Sequence, residues 1–135
     1  MENRENLEAQ EFEKAISSSH FDEVLEDISK WGKILMIKIT PSFVIEIKDH
    51  MPLGTYGHGY YNFDSKESSI SGHLKVDDIK EIVFSSKTHR GMLSHSVVFN
   101  DEKGEHIFKV FVTRDENRVL LKEQVEKFEA LRERF

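Results

Sequence analysis

Ser94-His95-Ser96-Val97-Val98-Phe99-Asn100 and His106-Ile107-Phe108-Lys109-Val110-Phe111-Val112-Thr113 flank the polar run Asp101-Glu102-Lys103-Gly104-Glu105. Both flanks read as strands. His95 alternates with Val97 and Phe99, and His106 alternates with Phe108 and Val110, as in a pleated sheet with one buried face. The linker reads as a hairpin loop with its glycine near the end. Both histidines read as satisfied histidines at the edge of a core.

Upstream, the same period of two recurs. Lys33 to Ile39 is a strand by composition, and Thr40-Pro41-Ser42 is a turn. Phe43, Ile45 and Ile47 alternate with Val44, Glu46 and Lys48. Met51-Pro52-Leu53-Gly54 turns again, and Thr55 to Phe63 reads as one aromatic strand. A polar loop, Asp64 to Ser69, leads to Ile70-Ser71-Gly72-His73-Leu74-Lys75. Ile79 to Phe84 is another strand, and Ser85 to Leu93 reads as a polar, basic loop. Helical spacing is confined to the chain ends. Asn6 to Ile16 reads as a charged helix, broken by Ser17-Ser18-Ser19. Phe21, Val24, Leu25, Ile28 and Trp31 form one buried helical face, which Gly32 ends. A final helix is expected after Asp115 as N-cap, with Leu120, Leu121, Val125, Phe128 and Leu131 on one side. Short strands with helices only at the two ends predict an α+β fold on an antiparallel sheet.

The 135 residues make one domain, 1–135. A net charge of -6 argues against nucleic acid, which needs a cationic footprint. With no cysteine there are no disulfides, thiolate zinc sites or cysteine nucleophiles. The acidic N-terminus has no apolar run behind it, and no stretch reaches membrane-spanning length, so a cytoplasmic location is expected. Seven histidines are about twice average usage for this length and need explaining.

Two of them sit against glycine, in Gly57-His58-Gly59 and Gly72-His73-Leu74. Glycine removes bulk beside an imidazole and lets a large flat group approach the backbone. Alternation turns Ile70 and Leu74 to the core and His73 to the opposite face, with Ser71 and Lys75. In a single strand, His58 shares a face with Tyr56, Tyr60 and Asn62, an aromatic wall for a planar ligand. A solvated sheet face is the competing reading of both. Lys87, His89 and Arg90 cluster in one loop, while Lys109 and Arg114 lie on or just past the last strand. They are ordinary surface charge or partners for a carboxylate ligand. There is no phosphate loop, nucleophile elbow or His-Glu-x-x-His, and Asp77-Asp78 reads as a solvated turn.

The run Leu53 to Phe63, the run Ser71-Gly72-His73-Leu74-Lys75 and the run Phe108-Lys109-Val110-Phe111-Val112-Thr113-Arg114-Asp115-Glu116-Asn117-Arg118 resemble the HutX/ChuX family of cytosolic haem-utilisation proteins. The likeness extends to Trp31-Gly32, Gln124, Phe128 and Leu131-Arg132, and covers about Phe21 to Arg134. It implies a curved antiparallel sheet with helices at both chain ends, packed as a homodimer that resembles one longer haem-trafficking protein built from two such halves. Haem is the implied ligand, with His73 as axial ligand to iron. His58 and Tyr60 are implied pocket residues, and Lys87, Arg90, Lys109 and Arg114 are implied propionate partners. Some members carry a second ligand histidine where this chain has Ile39, and longer members begin with a further helical segment. His58, a water or an open position then takes the other axial site. The implied role is a non-enzymatic haem carrier or buffer, with a haem-degrading enzyme as recipient. A haem- or tetrapyrrole-degrading enzyme, and a member that keeps the fold without haem binding, are the alternatives.

Overall fold

The computed structural model describes residues 11–135. Among them the elements are β1 Phe12–Ser17, α1 Phe21–Ile28, β2 Lys33–Ile39, β3 Val44–His50, β4 Thr55–Gly57, β5 Tyr60–Phe63, β6 Gly72–Leu74, β7 Glu81–His89, β8 Met92–Asn100, β9 His106–Phe111 and α2 Lys122–Glu133. Six strands form one sheet in the order β1-β7-β8-β9-β2-β3, and β4-β5-β6 form a second. Every pairing between them is antiparallel. The expected α+β fold is therefore the observed one.

The β8–β9 hairpin pairs Val97 with Val110 and Phe99 with Phe108. In its loop the Asp101 carboxylate accepts from the backbone N–H groups of Lys103 and Glu105, at 2.9 and 3.0 Å. The inner face of the large sheet carries Ile34, Ile82, Phe84, Val97, Phe99, Phe108 and Val110, all buried. Val24, Leu25 and Ile28 of α1 and Phe128 and Leu131 of α2 fill the same core. Each such side chain contributes roughly 1.5–3 kcal/mol by leaving water. Aromatic edges set the fit: Phe21 meets Phe99 at 5.9 Å and Phe84 meets Phe128 at 5.8 Å between centroids.

Four local readings change. Phe12–Ser17 is a strand on the β7 edge rather than part of a helix, and Asn6 to Gln10 lie outside the described residues. Phe12 and Ile16 are spaced i, i+4 for one helical face and also lie, with Lys14, on one face of a strand. Tertiary contact decides, with Lys14 Nζ donating to the Arg132 carbonyl at 3.1 Å and the Arg132 guanidinium over the Phe12 ring at 4.9 Å. The aromatic strand is split by a two-residue turn at His58-Gly59, both with positive φ (+55° and +82°). The basic loop is likewise strand to within two residues, turning at Arg90-Gly91 (+53° and +78°). Both turns have the left-handed pair that closes tight hairpins. Asp115 does not cap α2. It closes its own loop by accepting from Asn117 and Val119 N–H, and α2 begins at Lys122.

The start of α2 is held by Gln124, whose side chain is buried. Its Oε1 accepts from Thr113 N–H and Oγ1 at 2.8 and 2.9 Å, and its Nε2 donates to the Trp31 and Lys33 carbonyls at 3.0 and 2.7 Å. Gly32, between those carbonyls, turns the chain with φ +86°. His95 is also buried, its Nδ1 2.7 Å from Ser86 Oγ and its ring 5.1 Å from that of Phe128. Burial first, then the charges of Arg132 and Arg114, lower its pKa to about 4. His106 is half-buried, and its Nε2 accepts from Ile39 N–H at 3.1 Å. No helix among the described residues is long and apolar enough to cross a membrane.

Two predictions follow from the packing. Gln124→Leu keeps the volume but strands the Thr113 N–H and the buried Trp31 carbonyl, while the Lys33 carbonyl keeps Thr113 Oγ1. It should lower stability by about 3 kcal/mol in urea denaturation; a change under about 0.5 kcal/mol would show the amide to be dispensable. For His95 the unfolded chain takes up a proton that the folded one refuses. Stability is therefore full above pH 6.5 and is lost as pH falls toward 4. The loss should be roughly 2–3 kcal/mol at 1.36 kcal/mol per pH unit. In a His95→Gln variant this part of the pH dependence should vanish, and parallel stability curves for the two proteins would contradict it.

Candidate ligand site

The small sheet sorts its side chains by alternation. Tyr61, Phe63 and Leu74 point inward and are buried. Tyr61 meets Phe21 edge-on at 5.3 Å, and its hydroxyl accepts from Gly54 N–H at 2.7 Å. Their neighbours Tyr60, Asn62 and His73 therefore share the outer face, with Asn62 directly opposite His73. Ile70 is also buried, so the expected orientation of Ile70 and Leu74 inward and His73 outward is observed.

His73 faces a hollow of about 560 Å³. Its ring lies 5.9 Å from that of Tyr60, and its Nδ1 is 2.7 Å from Asn62 Oδ1. The Asn62 Nδ2 donates to the Thr55 and Gly57 carbonyls at 3.1 and 3.2 Å and approaches that of Tyr60 at 3.5 Å. Lys75, Lys80 and Lys103 line the hollow together with Asp77, Asp78, Asp101, Glu102 and Glu105. Asp77 and Asp78 lie exposed in a short 3-10 turn, as a solvated pair should.

His58 occupies the exposed tip of the β4–β5 turn and does not line this hollow. Its expected wall of Tyr56, Tyr60 and Asn62 is not formed. The turn puts Tyr56 on the face of Tyr61, where its hydroxyl donates to Asp22 Oδ1 at 2.7 Å. Burial and then that carboxylate push the Tyr56 phenol above its ordinary pKa.

The expected cations lie elsewhere. Lys87 and Lys109 line a second hollow, of about 530 Å³, on the outer face of the large sheet, together with Ile39, Val83, Val98 and Phe111. Lys87 Nζ is 2.5 Å from Glu13 Oε2. Arg90 stands exposed at the β7–β8 turn and lines neither hollow. Arg114 is committed to the backbone: its guanidinium donates to the Leu93 carbonyl and, at 3.0 Å, to that of Arg118. Within one chain the structure thus gathers His73 with Tyr60, and Lys87 with Lys109 and Ile39, in separate places. Sequence reasoning placed Asn62 beside His58 rather than His73, and did not single out Lys80 or Lys103. Asn62 becomes legible once Gly57 to Tyr60 is read as a turn.

Residues 14–131 match the family model described as haem utilisation ChuX/HutX. The chain is 33% identical over 124 residues to the intracellular heme transport protein HutX of Vibrio cholerae. That match covers 92% of this chain and 64% of the relative, so the chain spans just under two thirds of that protein's length. Among solved structures, protein AGR_C_4470 from Agrobacterium tumefaciens is 40% identical with a TM-score of 0.87, covering 91% of this chain and 71% of that one. The heme-binding protein ChuX is 29% identical with a TM-score of 0.84, covering 90% and 76%.

Proposed function

Because the chain belongs to the ChuX/HutX haem-utilisation family, we propose that it is a haem-binding carrier, with His73 as axial ligand to the iron. The observation that carries this reading is the placement of the Gly-His-Leu imidazole. It stands out from the small sheet, beside Tyr60, over a hollow of about 560 Å³. A neutral imidazole ligates haem iron well, and an aromatic neighbour shields part of the macrocycle. His58, at the turn tip, is the reserve ligand from the same sheet.

The propionates are assigned to Lys109 and to Lys87, which would have to exchange its Glu13 partner, with Arg90 at the margin; Arg114 is left out because its guanidinium donates to two backbone carbonyls. These lysines line a different hollow from His73, so they serve the same haem only from a second copy of the chain. A homodimer is supported by the apolar corner at the end of β2 and β3. Phe43, Val44 and Ile45 there are 58%, 54% and 45% exposed, on a strand whose outer edge is unpaired among the described residues. The protein is read as a cytoplasmic carrier that hands its haem to a haem-degrading enzyme.

Three experiments test this. Titration of the purified protein with hemin should shift the Soret band, His73→Ala should abolish or alter that shift, and His58→Ala should leave most of it. A spectrum unaffected by His73→Ala removes His73 from the iron. Steady breakdown of the bound haem under reductant and oxygen, insensitive to catalase, would identify an enzyme instead. Light scattering should give twice the chain mass, and Val44→Glu with Ile45→Lys should give a monomer with roughly tenfold weaker hemin binding. Full hemin affinity in a monomer would refute the shared site.

A further inference from the structure

We infer that Asn62 is the positioning residue of this site: its amide fixes His73 as the Nδ1–H tautomer and leaves Nε2 as the lone-pair donor facing the hollow. This rests on the reading of His73 as the iron ligand.

The argument begins with the amide itself. An asparagine oxygen and nitrogen are told apart by their neighbours. On one side the Asn62 amide meets the Thr55 and Gly57 carbonyl oxygens at 3.1 and 3.2 Å, with the Tyr60 carbonyl at 3.5 Å. All are acceptors, so that side must be the NH2 group. The flipped amide would lose two hydrogen bonds and set oxygen against oxygen. Oδ1 therefore faces His73 Nδ1, at 2.7 Å. A carbonyl oxygen only accepts, so Nδ1 carries the proton. The other ring nitrogen of a neutral imidazole is then the acceptor. Nε2 has no hydrogen-bond partner among the described residues.

The backbone beneath this arrangement is fixed. Thr55, Asn62 and His73 lie in one row across β4, β5 and β6, so the amide bridges all three strands. Gly54 packs so closely on the Asn62 carbonyl that a Cβ has no room there. Tyr60 stands edge-on to the His73 ring, at 64°, and restricts its rotation.

The consequence is chemical. A histidine in water favours the proton on Nε2, the opposite of what a ligand binding through Nε2 needs. Asn62 makes that change before any ligand arrives. Its neutral carbonyl also pulls less on the Nδ1 proton than a carboxylate would, so the imidazole is a donor of moderate strength.

The test begins without haem. In 15N-labelled apoprotein at pH 8, long-range proton–nitrogen correlation, assigned with His73→Ala, should show a protonated Nδ1 and an unprotonated Nε2. Asn62→Leu should return His73 to the Nε2–H form. In the haem complex, Asn62→Leu should weaken hemin binding about 10- to 100-fold and lower the ferrous iron–histidine stretching frequency. Asn62→Asp should raise that frequency, and it serves alone if the leucine variant does not fold. An Nε2–H tautomer in the wild-type apoprotein overturns the inference whatever hemin does. So does a frequency unchanged in Asn62→Asp. An Nδ1–H tautomer that depends on Asn62, in a protein that binds no hemin, supports the positioning role and overturns the proposed function.

Discussion

Both ends of the Gln124 amide are used inside the protein, and the four groups they meet come from three separated segments: the turn after α1, the first residue of β2 and the segment after β9. This hub seats the start of α2, while buried Phe128 and Leu131 and the pairs of Arg134 with Glu23 and Asp27 hold the rest of the helix. The helix is largely polar, its buried residues are Gln124, Phe128 and Leu131, and its N-cap residue makes no side-chain hydrogen bond. Phe128 and Leu131, one and two turns further along, are buried in the core. One amide thus links the closing of the core to the geometry at Trp31-Gly32. A buried polar group of this kind selects a single arrangement, because any shift leaves its partners unsatisfied.

Sealing the inner face determines where a ligand can lie. Both helices and the inward residues of the small sheet fill that side, so the remaining surfaces are the outer faces of the two sheets. On the small sheet, orientation is inherited from the core. Leu74 and Tyr61 are anchored inward, and a period of two then turns His73 and Asn62 outward. The position of the imidazole is set by apolar contacts that the ligand never touches.

Most of the fold is legible in the sequence because strand alternation and the apolar stripe of α1 are strong signals. What was misread has two physical causes. Phe12 and Ile16 fit both periods, and only the pairing of their segment with β7 selects the strand. The two tight hairpins place His58 and Arg90 at left-handed positions where asparagine, aspartate or glycine is usual. Without that cue, His58-Gly59 reads as continuous strand and Arg90-Gly91 as loop. For the site, alternation about buried Ile70 and Leu74 was enough to turn His73 outward. The roles of Arg114 and Asn62 depended on partners distant in the chain: the carbonyl of Leu93 for one, and an imidazole eleven residues away for the other.

Charge bears on how haem would lie. Five carboxylates and three lysines line the hollow beside His73, so its local field is negative. Two propionates directed into it would be repelled, though solvent and salt weaken the effect at an exposed surface. On the proposed reading, a macrocycle with its iron at His73 would turn its propionates away from these carboxylates, toward a less acidic surface. Lys109 and the Glu13-paired Lys87 lie beside apolar Val98 and Phe111 on the other sheet, where Glu13 and Glu81 balance the two lysines and leave a lining less acidic than that beside His73. A ligand held between two such surfaces is bound by a few polar contacts and a shallow apolar wall rather than enclosed. On the proposed reading, such an arrangement would suit release of haem: separating the two walls would expose the whole macrocycle, and no part of the core would have to open.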